Sequence, residues 1–409
     1  MSKRQTVRLM AGVAALALAG CDDFTPQTGP LQSCGAATTA TTSYSLYGPS
    51  TTPTACQDSG ASFTTSDAGL TGKVIIADQL NNRVVVSHAG VPLWVFGDGT
   101  SVPSPTSIVA PNDVEFLPAG AGRVNAEVLT AGTGAPVAAE SGCAANDAGI
   151  CVDDRVIIVD YPTKAIVWTF GGHDGSSDAG VGQLSGPTCA VLVPTSGGDH
   201  VLITDQNNNR IVEVDRGTST TVWTFPPSNP TVSQRLTTPQ SAERLANGNT
   251  LIADQGGNRV VEVSPSKDVV WQYPMVVNAG ALSSPAFASR LPNGHTLIAD
   301  SDNWRVLEVD NATPANVVWT YQTGTHASSG EPVPTGAVRL ANGHTLVTEI
   351  TANRVIEIDE TPQQNIVYSL GGFAQIDGGP HDLNQPYNAK VTTDTTGLTP
   401  PLPDASTTP

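Results

Sequence analysis

Positive charge is what this sequence has least of. Its 409 residues carry 19 Lys and Arg against 37 Asp and Glu, a formal net charge of −18. Nucleic-acid binding depends on cationic side chains neutralising phosphates, so that partner class is excluded. The same deficit argues against adhesion to anionic lipid head groups. Helical periodicity is absent: the apolar runs are short, rich in Val, Ile and Leu, and cut by Asn, Gly, Asp and Ser, which is the pattern of strands and tight turns. One apolar stretch, Leu9 to Gly20, is longer, yet too short to span a bilayer as a mature helix. Chemical signatures are missing as well. There is no C-x-x-C pair, no H-E-x-x-H, no G-x-S-x-G and no phosphate-cradling loop, so nothing calls for a metal or a cofactor.

What is present is a phrase used six times. Its clearest copy runs TLIADQGGNRVVEVSPSKDVVWQY from Thr250, with neighbours from Val201, Thr296 and Thr345 and two divergent copies from Lys73 and Arg155. The slot occupied by Asp78, Asp160, Asp205, Asp254, Asp300 and Glu349 sets the register, and an insertion lengthens the first interval. A period in this range means a repeat architecture. A further apolar run follows a proline ahead of each phrase: Pro111, Pro187, Pro239, Pro285 and Pro334. Four strands per repeat predict an all-β, six-bladed propeller of four-stranded blades. The near-continuous apolar runs suit blades buried on both faces, and the small Ala190, Ala242, Ala288, Ala337 and Ala389 suit a crowded innermost strand. Pro386-YNAKVTT is an innermost run with no phrase after it, so the C-terminal strand is expected to complete the first blade and remove the exposed edges.

The stretch FGGHDGSSDAGVGQLSGP followed by VLITDQNNNRIVEV resembles an NHL-repeat propeller. That family's repeat has a Gly-rich loop, a Gln-Leu-x-x-Pro segment and an Asp-x-x-Asn-Arg-Val turn. The resemblance covers roughly residues 72 to 394 and is strongest around Phe170 to Val214. The phrase LANGNTLIADQGGNRVVEV also resembles the repeats of bacterial arylsulfotransferases, six-bladed propellers that use a nucleophilic histidine in the funnel. No residue here matches it.

The chain opens with the basic Lys3, Arg4 and Arg8, then the apolar stretch, then Leu-Ala-Gly-Cys21. This ending resembles the lipobox of bacterial lipoproteins, and it implies cleavage before an acylated Cys21 that ties the protein to a membrane through lipid. Residues 1–21 then form the signal peptide, 22–70 a Thr/Ser/Gly/Pro-rich tether, 71–394 the propeller and 395–409 a disordered tail. Export licenses disulfides: Cys34 with Cys56, and Cys143 with Cys151 inside the insertion of the second blade. Cys189 is left over and reads as a small buried hydrophobe.

The recurring Asp and Arg, five residues apart, look catalytic at first sight. A pair present in nearly every blade cannot be one active site, so the carboxylate is expected to cap its turn and the Arg to brace it. Asp160 departs, with Lys164 in place of the Arg. Trp94, Trp168, Trp223, Trp271 and Trp319, with Tyr368, read as outer-strand packing. His295 and His344 fall in turns opposite the funnel and read as solvent-facing. His173, His326 and His381 lie in loops leading into innermost strands. The remaining candidates are polar residues on the innermost strands, where the copies disagree: Asn112, Asp113, Glu115, Thr188, Gln240, Ser241, Glu243, Thr335, Tyr387 and Asn388. Function lives in such positions, not in the fold. The expected activity is that of an extracytoplasmic binding or scaffolding module in the bacterial cell envelope, for an envelope protein, peptide or glycan. The rival is a propeller enzyme of the lyase, lactonase or sulfotransferase kind, with its site in the central funnel.

Overall fold

The computed structural model describes residues 44–45, 48–49, 72–136, 150–172, 184–275, 282–324, 331–372 and 382–392. The chain divides into two compact units, Met1–Asp58 and Ser59–Pro409. In the first, the described residues form one short antiparallel pair, Tyr44–Ser45 with Gly48–Pro49. The second is a ring of six four-stranded antiparallel sheets. Cys34, Cys56, Cys143, His173, His326 and His381 fall outside the described residues, as does the side chain of Cys151. No described helix is long and apolar enough to cross a membrane.

Blade one joins the two ends of the domain: Pro386–Val391 is its innermost strand, followed outward by Val74–Asp78, Arg83–His88 and Val91–Phe96. The expected closure is therefore present. Blades two to six begin at Pro111, Pro187, Pro239, Pro285 and Pro334, each proline opening an innermost strand. The second and third strands are buried almost throughout, because each blade is covered by a neighbour on both sides. Six apolar clusters fill the spaces between blades, each mixing residues of two adjacent sheets, such as Val212 and Ala190 with Ile158 and Leu129.

The repeated Asp–Arg pair is scaffold, as expected, but it caps a different backbone. In blade four, Asp254 Oδ2 accepts from Arg259 Nε at 2.8 Å, while Oδ1 accepts the Thr237 amide at 2.7 Å. That amide belongs to the loop leading into the same blade's innermost strand, not to the Asp's own turn. Asp205 and Asp300 repeat the arrangement with Ser185 and Ser283, and Asp78 with Asn384. The Asn before the Arg has a left-handed backbone and reaches the next blade: Asn209 Oδ1 accepts the Thr238 amide, Asn258 that of Ser284, Asn353 that of Gln385. A short amide side chain tolerates this conformation and closes a hydrogen bond from it. In blade six the loop residue facing Glu349 is Pro332, which has no N–H, and Glu349 Oε1 is left without a partner.

Blade two corrects the reading of Asp160. That residue ends the third strand, Ile150–Asp160, opposite Glu127, rather than occupying the slot of Asp78. The true slot is Gly132, paired with Pro111 and Arg155. Its carboxylate comes from Asp153 instead, which accepts the Val109 amide at 2.7 Å and pairs with Arg155. Gly132 is required here, since a Cβ would collide with Asp153. Asp154 then plays the part of the bridging Asn, accepting the Gly186 amide at 2.6 Å.

Candidate functional site

Innermost strands have one edge without a strand partner, and its amides need acceptors. Polar side chains of the preceding blade supply several. Asp113 Oδ2 accepts the Ala190 amide at 3.1 Å and Glu115 Oε2 that of Leu192 at 2.8 Å. Ser241 does the same for Ala288 at 3.3 Å and Glu243 for Arg290 at 3.2 Å. Four of the candidates thus hold adjacent blades together around the axis.

At blades one to three the arrangement goes further. Asp113 Oδ1 also accepts Asn388 Nδ2 at 2.7 Å and lies 3.3 Å from Lys390 Nζ, while Oδ2 also takes the Cys189 thiol at 3.1 Å. All five residues (Asp113, Glu115, Cys189, Asn388 and Lys390) are buried. Gly336 makes room for Asn388, whose amide oxygen occupies the space a Cβ would take. Burial pushes Glu115 up to about 7, against the pull of Lys390. Burial and the Asp113 charge push the Cys189 thiol well up, so it is a protonated donor and not a nucleophile. Burial alone would lower Lys390, but the Asp113 and Glu115 carboxylates outweigh it and hold it charged. The cluster's charge therefore turns on Glu115, near neutral pH.

The other candidates stand apart from that cluster. Thr188 donates to the Gln240 carbonyl at 2.8 Å and Thr335 to that of Tyr387 at 2.6 Å, each crossing a blade junction. Asn112 and Gln240 are backed by the turn residues Gln79 and Gln206. Lys390 and the hydrogen-bonded role of Cys189 escaped the sequence reading. A signal existed: Glu115, Glu243 and Lys390 each stand four residues after their proline, so one register position changes charge around the ring.

The histidines at the opposite end are not simply solvated. His295 Nδ1 and His344 Nδ1 lie 2.6 Å from Glu308 and Glu357. The outer tryptophans pack as expected, Trp223, Trp271 and Trp319 each beneath an arginine of the next blade. Among the described residues no group of three or more His, Cys, Asp or Glu is placed to hold a metal ion.

Two similar solved structures are a Bacteroides caccae protein of unknown function (12% identity, 78% of this chain and 97% of that one, TM-score 0.48) and virginiamycin B lyase from Staphylococcus aureus (15% identity, 63% and 68%, TM-score 0.39). Neither speaks to chemistry at such identities. No curated protein matches the chain. A family model does, over residues 112–366, from the first innermost strand of blade two to the last strand of blade six. With more than half of its length matched, the chain belongs to the PQQ_2 family, described as outer membrane protein assembly factor BamB.

Proposed function

We propose that this protein is a lipid-anchored, NHL-like propeller of the extracytoplasmic envelope that binds a protein partner in outer-membrane protein assembly. The observation that carries the reading is the family match across blades two to six. The site chemistry is consistent with it. In the cluster at blades one to three, Asp113 has four donors on its two oxygens, and Glu115 is committed to a backbone amide. Such groups stiffen a ring rather than attack a substrate. Cys21 would carry the lipid, residues 22–70 the tether, and Cys34–Cys56 and Cys143–Cys151 the disulfides. The mature charge of this chain, near −21 once Lys3, Arg4 and Arg8 are removed, suits a cationic protein surface as partner.

The test is photo-crosslinking in cells. A crosslinker at Asn207, in a turn at the mouth, is compared with one at Ala246, in a turn on the opposite face; both positions are exposed. Adducts from Asn207 with an outer-membrane protein or an assembly component, and few from Ala246, are expected. No adduct from either position sinks the reading. Membrane release of the Cys21→Ser variant tests the anchor separately. Stoichiometric metal in the purified protein, or turnover of a lactone or sulfate ester, would favour the enzyme instead.

A further inference from the structure

The ring closes where the last innermost strand meets the first, and one chemical group sets that junction apart. The fourth residue after the opening proline is Glu115, Val191, Glu243, Ser289 and Val338 in blades two to six, and Lys390 in blade one. No other innermost strand carries a lysine. Elsewhere a junction is spanned by a guanidinium, as where Arg290 Nη2 lies 2.8 Å from Glu262 Oε2. A guanidinium stays protonated and is no nucleophile, whereas a buried lysine can give up its proton and attack.

Lys390 Nζ lies 3.3 Å from Asp113 Oδ1, with the two side chains 9% and 2% exposed. Burying a lysine beside a carboxylate is costly, since their attraction must offset the lost hydration of both charges. An amide in place of the pair removes both charges. The Asp113 carboxyl is polarised on each oxygen: Oδ1 accepts Asn388 Nδ2 at 2.7 Å, and Oδ2 accepts the Ala190 amide and the Cys189 thiol, each at 3.1 Å. Glu115 projects from the same side of its strand as Asp113, two residues on, at the level of Lys390 in the neighbouring blade. Its charge and that of Lys390 act on each other.

We propose that Lys390 and Asp113 condense into an intramolecular amide, with Glu115 relaying a proton, so that the closing strand is tied covalently to blade two. First a proton passes from the Lys390 ammonium to the Asp113 carboxylate across their contact, leaving a neutral amine and a neutral acid. The Nζ lone pair then adds to Asp113 Cγ, and the C=O electrons move onto oxygen, where the donors around the carboxyl stabilise the charge. Ionised Glu115 takes a proton from Nζ and delivers it to the hydroxyl. The C–OH bond breaks, the carbonyl re-forms and one water leaves. The bond gained is Nζ–Cγ. Glu115 ends as it began, and no oxidant or cofactor enters. The fold's part is to hold amine and acid in buried contact, which makes the step intramolecular.

The test is a tryptic digest of the purified full chain, denatured and reduced, and read by mass spectrometry. Trypsin cuts after Arg83, Arg123, Arg354 and Lys390. The expected product joins residues 84–123 to residues 355–409, uncut at Lys390 and lighter than its two parts by one water. Lys390→Arg preserves the cation and should yield only separate fragments. Glu115→Gln keeps an acceptor for the Leu192 amide and should join about 100-fold more slowly. Separate fragments from the parent would overturn the proposal, and that outcome depends on no variant folding. A joined product in Lys390→Arg would overturn it too. A link located at Glu115 instead of Asp113 would overturn the choice of acceptor, and equal joining in parent and Glu115→Gln would overturn the relay.

Discussion

Glu115 makes stability depend on pH in a direction opposite to that of most carboxylates. In the fold its carboxyl is pushed up to about 7, from an ordinary value of 4.5, chiefly by burial. Between those two values the native chain holds a proton that the unfolded chain has released. Stability contributed by this group is therefore fully present below pH 4.5 and is lost as pH rises through 7. A gap of this size corresponds to about 3 kcal/mol. The assay is urea unfolding at pH 5, 6, 7 and 8 at constant ionic strength, for the parent and for Glu115→Gln. The glutamine retains an acceptor for the Leu192 amide and carries no titrating proton. The parent is expected to lose stability from pH 5 to 8, most of it below pH 7, and the variant to lose about 2.5 kcal/mol less over the same range. Parallel curves would refute the assignment of the titration to Glu115.

Arg290→Ala would leave Glu262 buried without its cation, at a cost of about 3 kcal/mol; in a double-mutant cycle with Glu262→Gln the losses should be clearly less than additive. Gly371→Ala would place a Cβ against the carbonyl of Asn353 on a backbone with φ of +82°, which should cost about 2 kcal/mol or more by chemical denaturation. Cys189 should resist a thiol reagent in the native protein and react fully in denaturant. If Cys34, Cys56, Cys143 and Cys151 form the expected disulfides and Cys21 is lipidated, the unreduced denatured chain gives one thiol, and a higher titre would rule that pairing out.

The propeller was legible because its strands obey two rules at once. The period placed five of the six phrases, and the orphan run at Pro386 announced the closing strand. Blade two misled because RVIIVD at residues 155–160 imitates VLITD at 201–205 while belonging to a third strand. A dipeptide within that strand is the better marker. Asp154-Arg155 stands where Asn82-Arg83, Asn209-Arg210 and Asn258-Arg259 stand, a left-handed residue followed by the residue paired with the slot of Asp78. The position of the candidate site was legible too, but its partners were not. Asp113 meets Asn388 and Lys390 from the far end of the chain, and no local pattern records a contact made only when the ring closes.

Disagreement among copies is thus a weaker guide to function than it first looks, and the reason is physical. Repetition fixes the second and third strands, which have a neighbouring strand on either side. It leaves the innermost strand free to vary, yet that strand has an open edge. Asp113, Glu115, Ser241 and Glu243 answer the edge with different side chains because any acceptor of suitable length suffices. Variation there reflects several solutions to one structural demand.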